Sequence, residues 1–279
     1  MRKYIWPCLF FFLWNTPVWG ADFSPLISAL AARGYDEAYL KQLFSRQEVR
    51  FLPEIMPKKL LHDEYKLNYA QFLRPERVER AQKFLKKHQS LLTALEERFG
   101  VPKEVLVAMF LVETDLGRYP GRYRTFNVLA SMALSSNWEQ VRSYLPAGLS
   151  AEEEARLKAF MARRAKWALK ELAALLTYCR KNGLDPLAIK GSIFGAFGLP
   201  QFVPSSVLHY GYDWDGDGRV DLFSLEDALA SMANYLAAHG WQKAKDQEAK
   251  LRVIKTYNHS QPYAETVLRI AERLSSAGG

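Results

Sequence analysis

Glu113 sits in a setting that makes a carboxyl group useful as a proton donor. At helical spacing it shares a face with Leu106, Met109 and Phe110, because residues three, four and seven apart stack on one side of a helix. A carboxyl turned toward apolar side chains loses the solvation of its charged form, so it would hold a proton near neutrality, as a general acid must. Asp115 faces another way and is not a partner carboxylate. Gly117, one turn on, leaves open space above Glu113. Spacing alone still favours a plainer account, a core Glu satisfied by a backbone group or an arginine.

Two further segments stand out. Gly191 to Ser206 is rich in glycine and aromatic residues and poor in charge. Its glycines let backbone approach a ligand, its aromatics can stack on a sugar or a base, and Gln201 offers a donor and an acceptor. A tight buried loop accounts for it equally well. Asp213, Asp215 and Asp217, with Gly218 next, match the first half of a calcium loop. Arg219 would lend its carbonyl and Asp221 sits at position nine, but Ser224 replaces the bidentate Glu at position twelve. A plain Asp/Gly turn ahead of a helix cap is the alternative. The five His are scattered, with no zinc spacing, no serine-hydrolase elbow and no phosphate loop.

The elements that must position these residues read as helices. Periodicity of three and four covers 24–47 and 75–99, and a helix runs from Glu104 to Leu116 after Gly100 and Pro102. Ser150 and Glu153 form a capping box for a long helix closed by Asn182-Gly183. Ser224 to Asp227 caps another helix ending at His239-Gly240, and two more follow near 246–257 and from Pro262. No alternating run is long enough for a sheet core. The fold class is therefore mainly α.

With 279 residues, 49% hydrophobic and 24% charged, the chain can bury a real core, and its +8 charge suggests an anionic partner. Arg2 and Lys3 precede the apolar stretch 5–14, which is shorter than the ~20 residues a spanning helix needs, and small residues surround a cut before Ala21. This reads as a signal peptide at 1–20. Cleavage would leave Cys179 alone, inside an apolar helical run, so no disulfide forms and a buried thiol is expected. Cys8 lacks the setting of a lipid-anchored cysteine.

Several segments together resemble the membrane-bound lytic murein transglycosylase B family. They are Val101-Pro102; Val112-Glu113-Thr114 with Gly117-Arg118 and Gly121; Asn127 to Ala133; Gly195-Ala196, Gly198 and Gln201-Phe202 with Pro204-Ser205-Ser206; the tract Asp213 to Trp241; and Tyr257-Asn258. Their consistent order over roughly 75–275 is far more specific than any one motif. The resemblance implies a lysozyme-like helical domain at 100–279, with a helical insertion at 147–190 and a loop-rich part at 191–223. A helical extension at 21–99 precedes it.

The resemblance further implies a periplasmic enzyme, acting as a monomer without an organic cofactor, that cleaves peptidoglycan between N-acetylmuramic acid and N-acetylglucosamine. One Glu would serve as acid and then base, closing a 1,6-anhydro ring. Matched motif by motif, substrate contacts fall on Arg163 and Arg164, Ser192, Gln201, Tyr235, Tyr257 and Asn258. The arginines would hold a stem or lactyl carboxylate. A structural calcium ion would sit at Asp213 to Asp221, and wider partners would come from cell-wall synthesis or division. Nucleic acid is not expected as a partner. Leu111 stands where the family has Gly, and Ile193, Phe194 and Phe197 are bulkier than its usual residues. A non-catalytic murein-binding protein and a hydrolytic muramidase are the competing readings.

Overall fold

The computed structural model describes residues 21–62 and 68–276. The signal-peptide reading at 1–20 lies outside them. Among the described residues, thirteen α-helices carry the fold, and the only sheet is a two-stranded ribbon. None of these helices is long and apolar enough to cross a membrane.

The first helical stretch forms α1 (Ser24–Ala31) and α2 (Glu37–Phe44), the latter capped by Asp36, whose side chain accepts from Tyr39 N at 2.6 Å. A short α3 (Ile55–Leu60) and a 3-10 turn (Tyr69–Leu73) lead to α4 (Pro75–Lys87) and α5 (Gln89–Phe99). The stretch 75–99 is thus two helices broken at His88. Glycine in the left-handed region at Gly100 ends α5.

The centre of the molecule is α6 (Lys103–Thr114), in which every residue from Val105 to Leu111 is buried. A helix apolar all round must be enclosed. Helices α4, α5, α11 and α13 pack on it. It ends at Thr114, two residues short of the sequence expectation, because Asp115 and Leu116 already have φ of 51° and 61°.

Strand β1 (Tyr123–Arg124) runs into α7 (Thr125–Leu134), followed by the short α8 (Trp138–Arg142). The expected capping box opens α9 (Ala151–Asn182), a 32-residue helix, roughly 48 Å long at ~1.5 Å per residue. It packs against α7 and α10 (Pro204–Tyr210) and carries much of the core. Its buried Glu171 binds Ser205 through N at 2.8 Å and Oγ at 2.9 Å, holding the start of α10. Strand β2 (Lys190–Gly191) pairs antiparallel with β1. Gly121 meets Gly191 so closely that a Cβ there would lie 2.1 Å from its backbone. The chain closes with α11 (Leu225–Ala238), α12 (Gln247–Tyr257) and α13 (Gln261–Ser276).

The core is one cluster from Leu26 to Leu274. Contacts cross the expected boundary at 99/100: α1 and α3 pack on α7, and the 3-10 turn packs on α13. As expected, Cys179 is buried, and desolvation pushes its thiol up to about 12.

Candidate active site

Glu113 is the penultimate residue of α6, half-buried at the mouth of a cavity of about 260 Å³. Asn68, Tyr69, Gln71, Phe72, Asn258 and Tyr263 line it with Glu113. The first four come from the 3-10 turn and its flank, so the amino-terminal extension forms one wall of the site. Tyr263 Oη donates to Glu113 Oε1 at 2.6 Å. Burial and the neighbouring Glu113 charge push the Tyr263 phenol well above its ordinary value, so it keeps its proton and remains a donor. The Tyr69 ring meets Tyr263 edge-on with centroids 5.9 Å apart, fixing the phenol's direction.

The backbone after Glu113 makes an unusual turn. Asp115, Leu116 and Gly117 all have positive φ, and two of them are not glycine. Such a conformation persists only when its surroundings enforce it. Here Asp115 is 6% exposed and binds Arg80 at 2.6 Å, with Arg118 at 3.5 Å and Arg77 at 3.9 Å. Thr114 Oγ1 donates to Leu199 O at 3.1 Å and accepts from Gly117 N at 3.1 Å. The end of α6 is thereby tied to the Gly198–Gln201 loop.

That loop also meets the carboxyl-terminal helices. Tyr257 Oη donates to Pro200 O. Burial, and then the Glu113 charge, push the Tyr257 phenol well above its ordinary value. Tyr257 packs edge-on against Tyr235, which donates to Thr256 O at 2.7 Å and stacks on His239. Gln201 takes a left-handed conformation and spends its amide N–H groups on Pro120 O at 3.0 Å and Gly198 O at 2.8 Å. Of the donor and acceptor expected of it, the carbonyl is the part left for a ligand.

Asn258 lines the cavity and accepts from Ser260 N at 3.2 Å. Ser192 Oγ accepts from Phe194 N and Ala196 N at 3.2 and 3.1 Å, so it organises its own loop. The structure does not bring the α9 arginines into the wall around Glu113. Arg163 is exposed beside Phe160, and Arg164 lies over the Trp167 ring at 3.9 Å.

The acidic loop is a separate centre. Asp213 accepts from Gly216 N at 2.8 Å and Gly218 N at 2.9 Å. Asp217 and Asp221 bind Arg219 N and Phe223 N, both at 2.8 Å. Ser224 accepts from Asp227 N at 3.2 Å and so caps α11 instead of facing the loop. Asp227 turns back to take Trp214 N and Asp221 N, both at 2.8 Å. Carboxylate oxygens of Asp213, Asp215 and Asp227 all lie within 4.8 Å of one another. The acidic group missing at position twelve is therefore present three residues later. Burial, together with the Asp215 and Asp213 charges, pushes the Asp227 carboxyl above its ordinary value.

Sequence reasoning missed three features. Tyr263 lies 150 residues from Glu113, and its only local signal was a Tyr at the opening of the last helix, close after Tyr257-Asn258. The 3-10 wall gave no periodicity to read. Asp227 was visible only as part of a helix cap.

The chain matches the transglycosylase SLT domain over residues 20–251 and belongs to that family. It is 35% identical over 178 residues to the membrane-bound lytic murein transglycosylase B of Escherichia coli K12. That match covers 64% of this chain but 42% of the relative's length. Soluble lytic transglycosylase SltB1 of Pseudomonas aeruginosa superposes with a TM-score of 0.74 at 24% identity, covering 93% of this chain and all of that one. The E. coli lytic transglycosylase Slt35 in complex with calcium gives 0.73 at 23% identity, covering 92% and 94%. The fold is that of the lysozyme-like lytic transglycosylases.

Proposed function

We propose that the protein is a peptidoglycan lytic transglycosylase in which Glu113 is the single general acid and base. The observation that carries this reading is the cavity wall: Glu113 is its one carboxylate among the described residues, and a phenol donates to it at 2.6 Å. Ordinary glycoside hydrolysis needs a second carboxylate across the scissile bond. Asp115, two residues away, is consumed by Arg80.

In the proposed reaction Glu113 gives its proton to the glycosidic oxygen as the bond from C1 of the muramyl sugar breaks, releasing the N-acetylglucosaminyl side as an alcohol. The resulting carboxylate takes the proton of the muramyl 6-hydroxyl while that oxygen bonds to C1. The 1,6-anhydro ring closes, no water is added, and Glu113 ends protonated. Tyr263 and Asn258 would position Glu113 and the sugar. The Gln201 carbonyl, Ser192, Tyr235 and Tyr257 would shape the cleft, and Arg163 and Arg164 would meet substrate farther along the strand. A calcium ion would fit between Asp213, Asp215 and Asp227, completed by backbone carbonyls and water, and would offset the charge repulsion within that loop. The substrate places the enzyme in the periplasm, to which the segment 1–20 would deliver it.

Digestion of purified sacculi followed by mass spectrometry tests this reading. Anhydro-muropeptides are the expected products. Products heavier by one water would make the protein a hydrolytic muramidase, and no release at all would make it a murein-binding protein.

A further inference from the structure

The 3-10 turn that walls the Glu113 cavity, Tyr69–Leu73, is five residues long. That exceeds the ~3–4 residues such helices usually run, because their hydrogen bonds are poorly aligned. The wall needs anchors from outside itself. Two come from α13: Tyr263 meets Tyr69 edge-on, and Arg273 Nη1 donates to Leu73 O at 2.7 Å. The third is Arg77, in the first turn of α4.

Arg77 holds two parts of the molecule at once. Its Nη2 donates to Gln71 Oε1 at 3.4 Å, and its guanidinium lies over the Phe72 ring at 4.8 Å. Both of these residues line the cavity. Its Nη1 comes to 3.9 Å from Asp115 Oδ1, and Asp115 stands two residues beyond Glu113 in the left-handed turn that ends α6. A planar guanidinium can offer its edge and its face together, which an ammonium cannot. One half-buried side chain therefore spans from the wall to the helix that carries the carboxyl. Neither partner depends on Arg77 to stay in place: Asp115 has Arg80 at 2.6 Å, and the wall keeps both α13 anchors. What Arg77 adds is the placing of Gln71 and Phe72 relative to Glu113.

We propose that Arg77 is a positioning residue for the reaction at Glu113. It fixes the Gln71–Phe72 wall against the end of α6, so that a sugar seated on the wall presents its glycosidic oxygen to the carboxyl. This rests on the reading of Glu113 as acid and base, and adds to it the side chain that sets the distance across the cleft. A proton passes only between groups within hydrogen-bond reach, and a misplacement of ~1 Å can cost ~10²-fold in rate.

The test measures initial rates on soluble, uncrosslinked glycan strands for the full chain and for Arg77→Ala, Arg77→Lys and Phe72→Leu, at a temperature where melts show every variant folded. Arg77→Ala is expected to lower kcat by about ten- to hundredfold while KM stays within about threefold, because the wall is displaced and not lost. Arg77→Lys keeps the stem and the charge facing Asp115 but not the planar fork, and should recover part of kcat. Phe72→Leu removes the ring that Arg77 covers, so adding Arg77→Ala to it should cost less than the two single losses multiplied. A kcat for Arg77→Ala within about twofold of the unaltered chain, a loss confined to KM, or single losses that multiply independently overturns the positioning role. If the unaltered chain releases anhydro ends and Arg77→Ala matches it, the role fails alone. Products heavier by one water overturn the lytic reading and leave the role standing when the same kcat pattern holds, and no release at all overturns both.

Discussion

The protein has two acidic centres, and they are built on opposite plans. Around Glu113 one carboxyl stands among phenols and amides and accepts from Tyr263 at 2.6 Å. Around Asp213 to Asp227 several carboxyls crowd together, and each aspartate takes at least one backbone N–H of its own loop. A carboxyl that lines a cleft beside a phenol donor is placed to give and take a proton at a bound sugar. A crowded set repels itself and suits a cation. Asp115 shows a third fate: two residues from Glu113, it is saturated by arginine and serves only to hold the turn.

The sharpest way to break this contrast is Glu113→Gln, which keeps the shape and removes the proton. Release of anhydro-muropeptides should fall by ~10²- to 10⁴-fold with an unchanged melt; retained activity would place the acid elsewhere. Asp115→Ala should act on the fold instead. Leaving Arg80 partly buried beside a lost partner should cost about 2–3 kcal/mol, below the 3–5 of a fully buried pair because Arg80 is a third exposed. Denaturant melts would show it. Tyr263→Phe removes the donor to Glu113 and keeps the ring, so kcat should drop by about tenfold, the worth of one hydrogen bond to a charged group, with KM little changed.

The loop should respond to an ion and the cleft should not. Millimolar calcium is expected to raise the melting temperature by roughly 2–6 °C through binding to the native state alone. Asp213→Ala with Asp215→Ala should cancel that rise while leaving Glu113 chemistry intact. The smallest effect expected is on acid stability. Burial lowers the pKa of His88 from its ordinary 6.5, so the unfolded chain takes up a proton first as the pH falls. Stability should therefore decline from pH 6.5 downward through the lower native value. His88→Phe, which preserves the packing on Phe84, should flatten that slope in pH-dependent melts.

Much of the helical architecture was legible because its signals are local. The Ser150 and Glu153 box, Gly100, Gly183 and the Ser224 cap all appear as the spacing of residues predicts, since a cap is settled by the few residues around it. Where the reading slipped, the controlling contact was distant. Gly117 looked like the stop of α6, but Arg80, 35 residues back, pulls Asp115 into the left-handed turn two residues earlier. Ser224 caps α11 as its spacing predicts, but that Asp227 of the same cap turns back into the acidic loop was not visible from spacing.

Hydrophobic periodicity and caps were enough to define the helices, the buried thiol and the carboxyl at the end of the most apolar one, because each depends on neighbours within a turn or two. The surroundings of that carboxyl were settled only by folding. Tyr263 from the last helix and the 3-10 wall from the amino-terminal part meet at Glu113 through packing of α13 on α6. A contact spanning 150 residues leaves no mark on local spacing, since it is chosen by how apolar faces fit together and not by any one segment's own preference.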